Sequence, residues 1–371
     1  MKEADLCEKC EGCTLCVSVC PVSAIKLKKN VKGFYVPDIN KDKCIDCKKC
    51  LNTCERKAKD FQEIKTIWAA KIKNNDDLHQ SSSGGMFSVF SDYFLKKKGC
   101  VYGAILDDEF RVIHKKANNI HERNEMRGSK YVQSYLGEIF KSVEIELLDG
   151  KYVMFTGTPC QVDALQIYME SKKVSRANLF TCELICNGVS SPEIWSKYIN
   201  DYIGKNKIQD VKFRFKHPQI NGSIFAVIKK NGRVDVSGYY SQLYTSKLCM
   251  NEACYECNYT RKFRVADVTI GDLQGTIGEN VSEKLKKESS IVLINSNKGK
   301  KIWESVKEKC EVQQLGIDYT QERLEKSCKK PKKYEQFWQD YQKVSIRKLL
   351  KKYTNKSLIE DVRCVKNSIK I

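Results

Sequence analysis

The chain has 371 residues, enough for two or three domains with apolar cores, and its 66 basic residues exceed its 46 acidic residues by 20. This charge excess fits either an acidic redox partner, such as a small ferredoxin or flavodoxin, or a lysine-rich solvated surface; without a nucleic-acid motif, no nucleic-acid partner is expected. No apolar run approaches the about 20 residues that span a bilayer, and the first ten residues lack a signal segment, so we expect a cytoplasmic protein. In that compartment, 19 cysteines indicate metal binding rather than disulfides.

The first predicted element is a pair of cysteine runs with identical spacing. Both runs follow the pattern Cys-x2-Cys-x2-Cys-x3-Cys, and their members are Cys10, Cys13, Cys16 and Cys20, then Cys44, Cys47, Cys50 and Cys54. This is the pattern of bacterial two-cluster ferredoxins, in which the fourth cysteine of each run binds the other 4Fe–4S cluster. We therefore expect Cys54 to complete the first cluster and Cys20 the second, in an α+β ferredoxin domain over residues 1–60. Cys7 lies outside this register and is expected to be spare, and zinc is the weaker alternative metal.

The stretch "SSSGGMFSVFSDYFLKKKG" (81–99) predicts a helix that begins near Ser83 and has an apolar face containing Phe90. Gly84 and Gly85 allow close backbone approach at its start. The N-terminus of this helix is therefore either a phosphate-binding site or an ordinary helix start.

Residues 100–117 alternate apolar and polar side chains and predict a β-hairpin that turns at residues 107–108. Residues 126–137 follow as a polar loop flanked by glycines. The four histidines share no metal-binding spacing, and we expect none of them to be catalytic: His79, His114, His121 and His217.

From residue 150 the chain alternates strands and helices. The stretches "KYVMFTGTPCQVDALQIYM" and "ANLFTCELICNGVSSPEIWSKYI" each predict a buried strand, a turn and a helix, the second helix beginning at residues 191–192. Further strands are predicted within 211–238, with Asn-Gly turns at 221–222 and 231–232, and in "ADVTIGD". "SSIVLINSNKGKKIWESVK" predicts another strand and helix, and the lysine-rich tail, 329–371, is expected to be helical and to pack on the body.

Four cysteines of this region fall at predicted loops: Cys160, Cys186, Cys254 and Cys257. Two of them follow strands, at the edge where open α/β sheets bind ligands, and the other two form a Cys-x2-Cys pair. Four soft thiolates favour a third 4Fe–4S cluster over zinc, and buried structural cysteines are the remaining alternative. Cys182 and Cys249 are nearby competitors as ligands. The isolated cysteines are expected to be structural: Cys100, Cys310, Cys328 and Cys364.

Six motifs in this order resemble the coenzyme F420 hydrogenase/dehydrogenase beta-subunit family, over about residues 65–335: "SSSGGMFS", "GSKYVQS", "FTGTPCQVDAL", "LICNGVSSPEIW", "CYEC" and "DVTIGDLQG". The fused ferredoxin pair is similar to that of one bacterial branch of this family. The resemblance implies an α/β flavoprotein body with a mixed sheet, a flavin-contacting part at 65–148 and an α/β part with the third cluster at 150–328. It also implies FAD as cofactor.

Carried over residue by residue, the resemblance implies flavin contacts at Ser83, Gly84, Gly85, Ser129, Lys130 and Tyr131. It also assigns the third cluster to the four loop cysteines of the body. We expect Lys130 to lie near the pyrimidine side of the flavin, where its charge would stabilise the reduced anion. Gln274 stands where the family usually has tryptophan, so the resemblance does not fix the substrate.

The implied function is an oxidoreductase that passes electrons from the ferredoxin clusters through the third cluster and FAD to an acceptor. Two alternatives remain. The chain is either a non-catalytic electron-transfer subunit of a partner enzyme, or a genuine coenzyme F420 oxidoreductase subunit.

Overall fold

The structure is a computed structural model that describes residues 9–55, 57–216, 223–236, 238–274 and 281–355. Cys7, Cys364, His217 and the turn predicted at 221–222 lie outside these ranges. Within them, no helix is both long enough and apolar enough to cross a membrane.

The N-terminal region has the predicted α+β composition. Its elements are α1 (Leu15–Val19), β1 (Ile25–Lys29), β2 (Tyr35–Ile39) and α2 (Lys49–Glu55). The two strands form an antiparallel hairpin in which Ile25 pairs with Ile39. Leu15 and Val19 pack in one apolar cluster with Val162 of the body, so this region is docked on the body by its core side chains.

The remaining strands are β3 (Thr66–Ile72), β4 (Cys100–Leu106), β5 (Val112–Ala117), β6 (Val153–Gly157), β7 (Leu179–Leu184), β8 (Ile208–Phe215), β9 (Ile224–Lys229), β10 (Val234–Asp235), β11 (Val268–Asp272), β12 (Ser290–Ile294) and β13 (Cys310–Leu315). Eight of them form one mixed sheet in the order β13-β3-β12-β11-β7-β6-β4-β5. The four strands β4, β6, β7 and β11 are parallel to one another, and the outer pairings are antiparallel. The predicted mixed sheet is therefore confirmed, and it takes strands from both sides of residue 150.

The helices of the body are α3 (Asn75–His79), α4 (Met86–Lys96), α5 (Ile120–Asn124), α6 (Ile139–Leu148), α7 (Pro159–Ser171), α8 (Pro192–Lys197), α9 (Tyr239–Thr245), α10 (Asn297–Val306), α11 (Tyr334–Lys343) and α12 (Ile346–Tyr353). Helices α4 and α10 cover one face of the large sheet, where Phe90 and Trp303 pack together. Helices α6 and α7 cover the other face. Both faces are thus buried, which explains why β6 and β12 are apolar or small throughout and buried at every position.

Helix α4 begins at Met86, slightly later than the predicted start near Ser83. Gly85 is its N-cap and has φ of 82°, a left-handed conformation that favours glycine. A side chain at Gly84 would place its Cβ 2.3 Å from the Ala70 carbonyl oxygen, so the double glycine serves the close approach of this segment to the sheet.

The other predicted elements are found at the expected places. Strands β4 and β5 form the predicted hairpin, and Asp107 closes its turn by accepting from the Arg111 backbone N–H at 2.8 Å. Helix α8 begins at Pro192, with the Ser191 side chain accepting hydrogen bonds at its start. The tail forms two helices, α11 and α12, rather than one, and both pack on the apolar cluster around β8 and β9.

Candidate functional site

A cavity of about 250 Å³ opens at the carboxyl ends of the parallel strands β6, β7 and β11. Eight of the predicted cluster and flavin residues line it: Ser83, Gly85, Ser129, Lys130, Cys160, Cys186, Cys254 and Cys257. The fold therefore brings residues from five separate segments of the chain to one site. The two remaining predicted flavin residues, Gly84 and Tyr131, do not line the cavity.

The four thiols of the cavity are positioned by local structure. Cys160 lies in the first turn of α7, where Thr158 and Gln161 form a capping box, and the Thr158 hydroxyl lies 3.1 Å from the Cys160 sulfur. The Gly188 N–H donates to the sulfur of Cys186 at 3.3 Å. The other two cysteines flank Tyr255 in and after a short helical turn, Glu252–Glu256, which is capped by Asn251.

Charges on these thiols would interact strongly. Burial raises the pKa of Cys160 to about 12 and that of Cys186 to about 11, and in both cases the other thiols of the set raise it further. For Cys254 the pKa rises well above the ordinary value, first because of burial and then because of Cys186. Every pair among the four cysteines interacts in this way. All four residues are half-buried by area.

The donor set fits an iron–sulfur cluster, because it consists of four soft sulfur atoms. Across the ranges that the structure describes, no group of three or more His, Cys, Asp or Glu residues is arranged so that it could hold a metal ion. That finding concerns sites for a single ion. In a cubane cluster each thiolate binds a different iron, so its four thiolates lie further apart than those around one ion.

A fifth thiol and two cations border the same set. Cys328, which is isolated in the sequence and expected to be structural, lines the cavity and donates to the Cys254 carbonyl at 3.6 Å. Arg323 donates to the Asn187 side chain at 2.6 Å, and burial, then the charge of Arg323, lower the pKa of Lys247. The predicted competitors Cys182 and Cys249 are fully buried in apolar clusters instead.

The serine and glycine residues at the start of α4 form the wall opposite the thiols. The Ser83 hydroxyl donates at 2.8 Å to the carbonyl of Ser289, the residue before strand β12. The Ser129 N–H donates to the Ser82 hydroxyl oxygen at 2.8 Å. Because of this contact, the two loops predicted to bind flavin lie side by side.

Lys130 lines the cavity, but its ammonium is held by its own loop. It donates to the backbone carbonyls of Arg127 at 2.9 Å, Glu125 at 3.0 Å and Gly128 at 3.3 Å. Burial and then the charge of Lys212 lower the pKa of Lys130 to about 7, while the three carbonyls favour its charged form. Its placement beside a flavin ring stays a prediction. Tyr131 instead stacks on Tyr244 with ring centroids 4.5 Å apart.

His114 was not predicted to belong to a site, yet it lines this cavity. Its Nε2 lies 3.1 Å from the Thr156 carbonyl oxygen, and its Nδ1 is buried without a hydrogen-bond partner among the described residues. Burial lowers the pKa of His114 to about 4, so the ring is neutral at pH 7 and Nδ1 is an acceptor when Nε2 carries the proton. The alternation of strand β5 buries Val112 and His114 on the same face, and this pattern in the sequence could have predicted that His114 points inwards.

The ferredoxin cysteines form a second group of thiols. Burial raises the pKa of Cys50, and the neighbouring thiols Cys20 and Cys47 raise it further. The crossed assignment of the cluster ligands stays a prediction. Cys47 is exposed, Cys50 is buried, and the other six are half-buried: Cys10, Cys13, Cys16, Cys20, Cys44 and Cys54. Backbone N–H groups donate to the sulfur of Cys20 at 3.2 Å and of Cys10 at 3.4 Å.

Three polar side chains of the body dock the ferredoxin region beside the cavity. Gln133 accepts from the Tyr35 N–H at 2.8 Å, Asn251 donates to the Cys10 carbonyl at 3.0 Å, and Asp163 accepts from the Ala58 N–H at 2.8 Å. As a result, Cys13 lies close enough to Cys160 for their charges to interact.

A buried ion pair connects two segments that line the cavity. Arg264 donates to Glu183 of β7, and both side chains are almost fully buried. The Arg264 guanidinium also donates to the carbonyls of Tyr259 and Arg261 at 3.0 Å. The segment that follows Cys257 is thereby fixed to the strand that leads to Cys186.

Replacing Gly188 with alanine should destabilise the protein, because a Cβ there would lie 2.4 Å from the Met250 sulfur. Gly150→Ala is a matched control: φ is 92° at Gly188 and 74° at Gly150, but nothing lies within 4 Å of a Cβ at position 150. Both variants carry the left-handed strain of about 1–2 kcal/mol. Gly188→Ala should cost about 1–3 kcal/mol more, as measured by anaerobic urea unfolding. Equal losses in the two variants would contradict the assigned contact.

Two family models and two known proteins match parts of this chain. Residues 150–318 match the family model that describes the C terminus of the coenzyme F420 hydrogenase/dehydrogenase beta subunit, and residues 9–58 match a 4Fe-4S dicluster domain. Over 321 residues the chain is 23% identical to an F(420)H(2) dehydrogenase subunit from Methanosarcina mazei, covering 82% of this chain and 84% of the relative. A chain of the F420-reducing NiFe hydrogenase complex from Methanosarcina barkeri aligns with a TM-score of 0.49 and 19% identity, over 70% of this chain and 84% of that one.

The fold, the cysteine runs and the dicluster match define an iron–sulfur redox protein. Residues 150–318 match the C-terminal part of the coenzyme F420 hydrogenase/dehydrogenase beta-subunit family, and the chain as a whole resembles that family.

Proposed function

We propose that the chain is an FAD-dependent oxidoreductase that passes electrons from two N-terminal 4Fe–4S clusters, through a third cluster, to an acceptor at the FAD. The observation that supports this function most directly is the single cavity shared by the four body cysteines and the loops predicted to bind flavin. Redox centres must be close together to exchange electrons, and the sheet edge supplies that proximity.

Unpartnered polar atoms in the cavity support a polar ligand. The buried atoms His114 Nδ1, Arg127 Nε and Arg323 Nη1 have no hydrogen-bond partner within the described ranges, and all three residues line the cavity. Buried polar groups are nearly always hydrogen-bonded, so a bound group is expected to satisfy them. A dinucleotide with a negative pyrophosphate suits two guanidinium groups.

FAD accepts electrons singly or in pairs, which allows one-electron clusters to serve a two-electron acceptor. The contributions of the chain are positional. In this proposal, the ligands of the third cluster are Cys160, Cys186, Cys254 and Cys257. Ser83, Gly85 and Ser129 line the flavin side, and Phe87 and Met126 exclude water there.

Two other functions are each supported by one observation. The relative from Methanosarcina mazei is one subunit of an F420H2 dehydrogenase, so an electron-transfer subunit without its own substrate pocket is one candidate. Oxidation or reduction of coenzyme F420 is the second candidate function, because the same relative is named as a dehydrogenase of the reduced coenzyme. Bound FAD together with an open cavity favours catalysis over the first of these functions.

An acidic ferredoxin or flavodoxin is the partner that the surface suits best. The exposed residue Cys47 lies in a loop with four exposed lysines: Lys41, Lys43, Lys48 and Lys49. Opposite charges steer redox partners together, and this loop surrounds the most accessible of the ferredoxin thiols.

FAD should be found in the supernatant when anaerobically purified protein is denatured by heat, and chromatography will identify it. The expected amount is about one FAD per chain, because the chain has one such cavity among its described residues. Protein without flavin after reconstitution would rule out the proposed oxidoreductase.

Ser129→Trp provides a matched test of where the flavin binds. This residue lines the cavity, so a bulky ring there should reduce bound FAD severalfold. Ser175→Trp, at an exposed position outside the cavity wall, should retain the wild-type amount. Equal FAD in both variants would move the flavin away from this cavity.

A further inference from the structure

Lys57 lies at the boundary between the ferredoxin region and the body, and its ammonium faces a cluster cysteine. Its Nζ donates to the sulfur of Cys13 at 3.3 Å, and its side chain is only 9% exposed. It also pairs with Glu11 and lies 5.9 Å from the centroid of the Tyr259 ring. A buried lysine directed at sulfur is unusual, because lysine is almost never fully buried without a purpose for its charge.

The same ammonium lies where the two groups of thiols meet. It donates to Cys13, and Cys13 and Cys160 pack against one apolar cluster. Tyr259 belongs to that cluster, and the centroid of its ring lies 5.9 Å from the Lys57 ammonium. Lys57 therefore occupies the junction between the ferredoxin site and the cavity site.

The segment that carries Lys57 is held in place. Asp163 of α7 accepts from the Ala58 N–H at 2.8 Å and from the Tyr259 hydroxyl at 2.7 Å. Asp163 follows Cys160 in α7 by less than one helical turn. The helix that carries Cys160 therefore also holds the segment that contains Lys57.

We infer that Lys57 is a positioning residue whose ammonium, donating to Cys13, raises the reduction potential of the ferredoxin cluster that faces the body. This inference rests on the proposed function. One electron from a reduced ferredoxin-type donor makes the cluster one unit more negative, and no bond forms or breaks. A nearby cation stabilises that added charge, and hydrogen bonds to sulfur and local charge are known to set cluster potentials. Glu11, which pairs with Lys57, partly offsets the effect.

The test is an anaerobic redox titration of the full-length protein, followed by electron paramagnetic resonance. Lys57→Gln should make the reduced fraction of one cluster about tenfold smaller at a fixed ambient potential, which is a shift of about −59 mV for one electron. Lys57→Arg should restore most of the potential because it keeps the charge and the donor. Lys59→Gln is the control, because Lys59 is exposed and only two residues away.

Unchanged potentials in Lys57→Gln, with the wild-type iron content, would overturn the inference. If that variant loses iron, Glu11→Gln decides: removal of the offsetting carboxylate should raise the potential of the same cluster, and no rise overturns the inference. The cluster concerned belongs to the ferredoxin region. A failure of the proposed function would instead appear as missing FAD and missing cavity iron, and it is distinguished by those two counts.

Discussion

Replacing Cys254 and Cys257 together by serine should lower the iron content of the full-length protein from about twelve atoms per chain to about eight. The structure motivates this number, since both cysteines lie with Cys160 and Cys186 in one cavity, separate from the eight ferredoxin thiols. Two thiolates cannot hold a cubane that takes four. Iron and sulfide analysis after anaerobic reconstitution will measure the change.

Cys328→Ser is the matched control for the double variant. Cys328 borders the same cavity and contacts the Cys254 backbone, but it follows no strand and belongs to no cysteine pair. It should keep about twelve irons per chain. If Cys328→Ser loses about four irons and the double variant loses none, the ligand set is wrong; if neither loses iron, the body has no cluster.

Arg264→Leu should lower the free energy of unfolding by about 3–5 kcal/mol. The substitution leaves the carboxylate of Glu183, which is 0% exposed, without its cation; among the described residues, the Thr269 hydroxyl at 2.7 Å is then its one remaining donor. It also frees the backbone carbonyls of Tyr259 and Arg261, so the loop after Cys257 loses its brace. Anaerobic urea unfolding will measure the loss.

Two further variants make the test of the ion pair specific. The double variant Arg264→Leu with Glu183→Leu should recover much of the loss, because no charge is then buried alone. Lys141→Ala, which breaks an exposed pair with Glu138, should cost about 1 kcal/mol or less. A loss in Arg264→Leu as small as that of Lys141→Ala would mean that water reaches Glu183.

The parts of the fold that were predicted correctly depend on local sequence. Cysteine spacing, the hairpin of β4 and β5 and the helix start at Pro192 are all set by residues within a few positions of one another. The edge position of Cys160 and Cys186 also followed, because a strand and the turn after it are adjacent in the chain. The division of the body at residue 150 stays a proposal, since one sheet takes strands from both sides.

The remainder of the site depends on contacts between distant parts of the chain. Strands β3 and β13 pair with each other although more than 200 residues separate them, and neither was predicted. Lys57 meets Cys13 across 44 positions, and Cys328 meets Cys254 across 74. Such contacts follow from the tertiary arrangement alone, and no periodicity in the sequence encodes them.

Helix α7 fixes the distance between the cavity and the ferredoxin region. Its first turn carries Cys160 at the cavity, and three residues further on Asp163 holds the ferredoxin region. Electron tunnelling slows steeply as the gap between centres widens, and in the proposed electron path one helix sets the gap between the ferredoxin region and the cavity. Neither region has to swing towards the other between turnovers, so the rate of transfer across this junction should not depend on solvent viscosity.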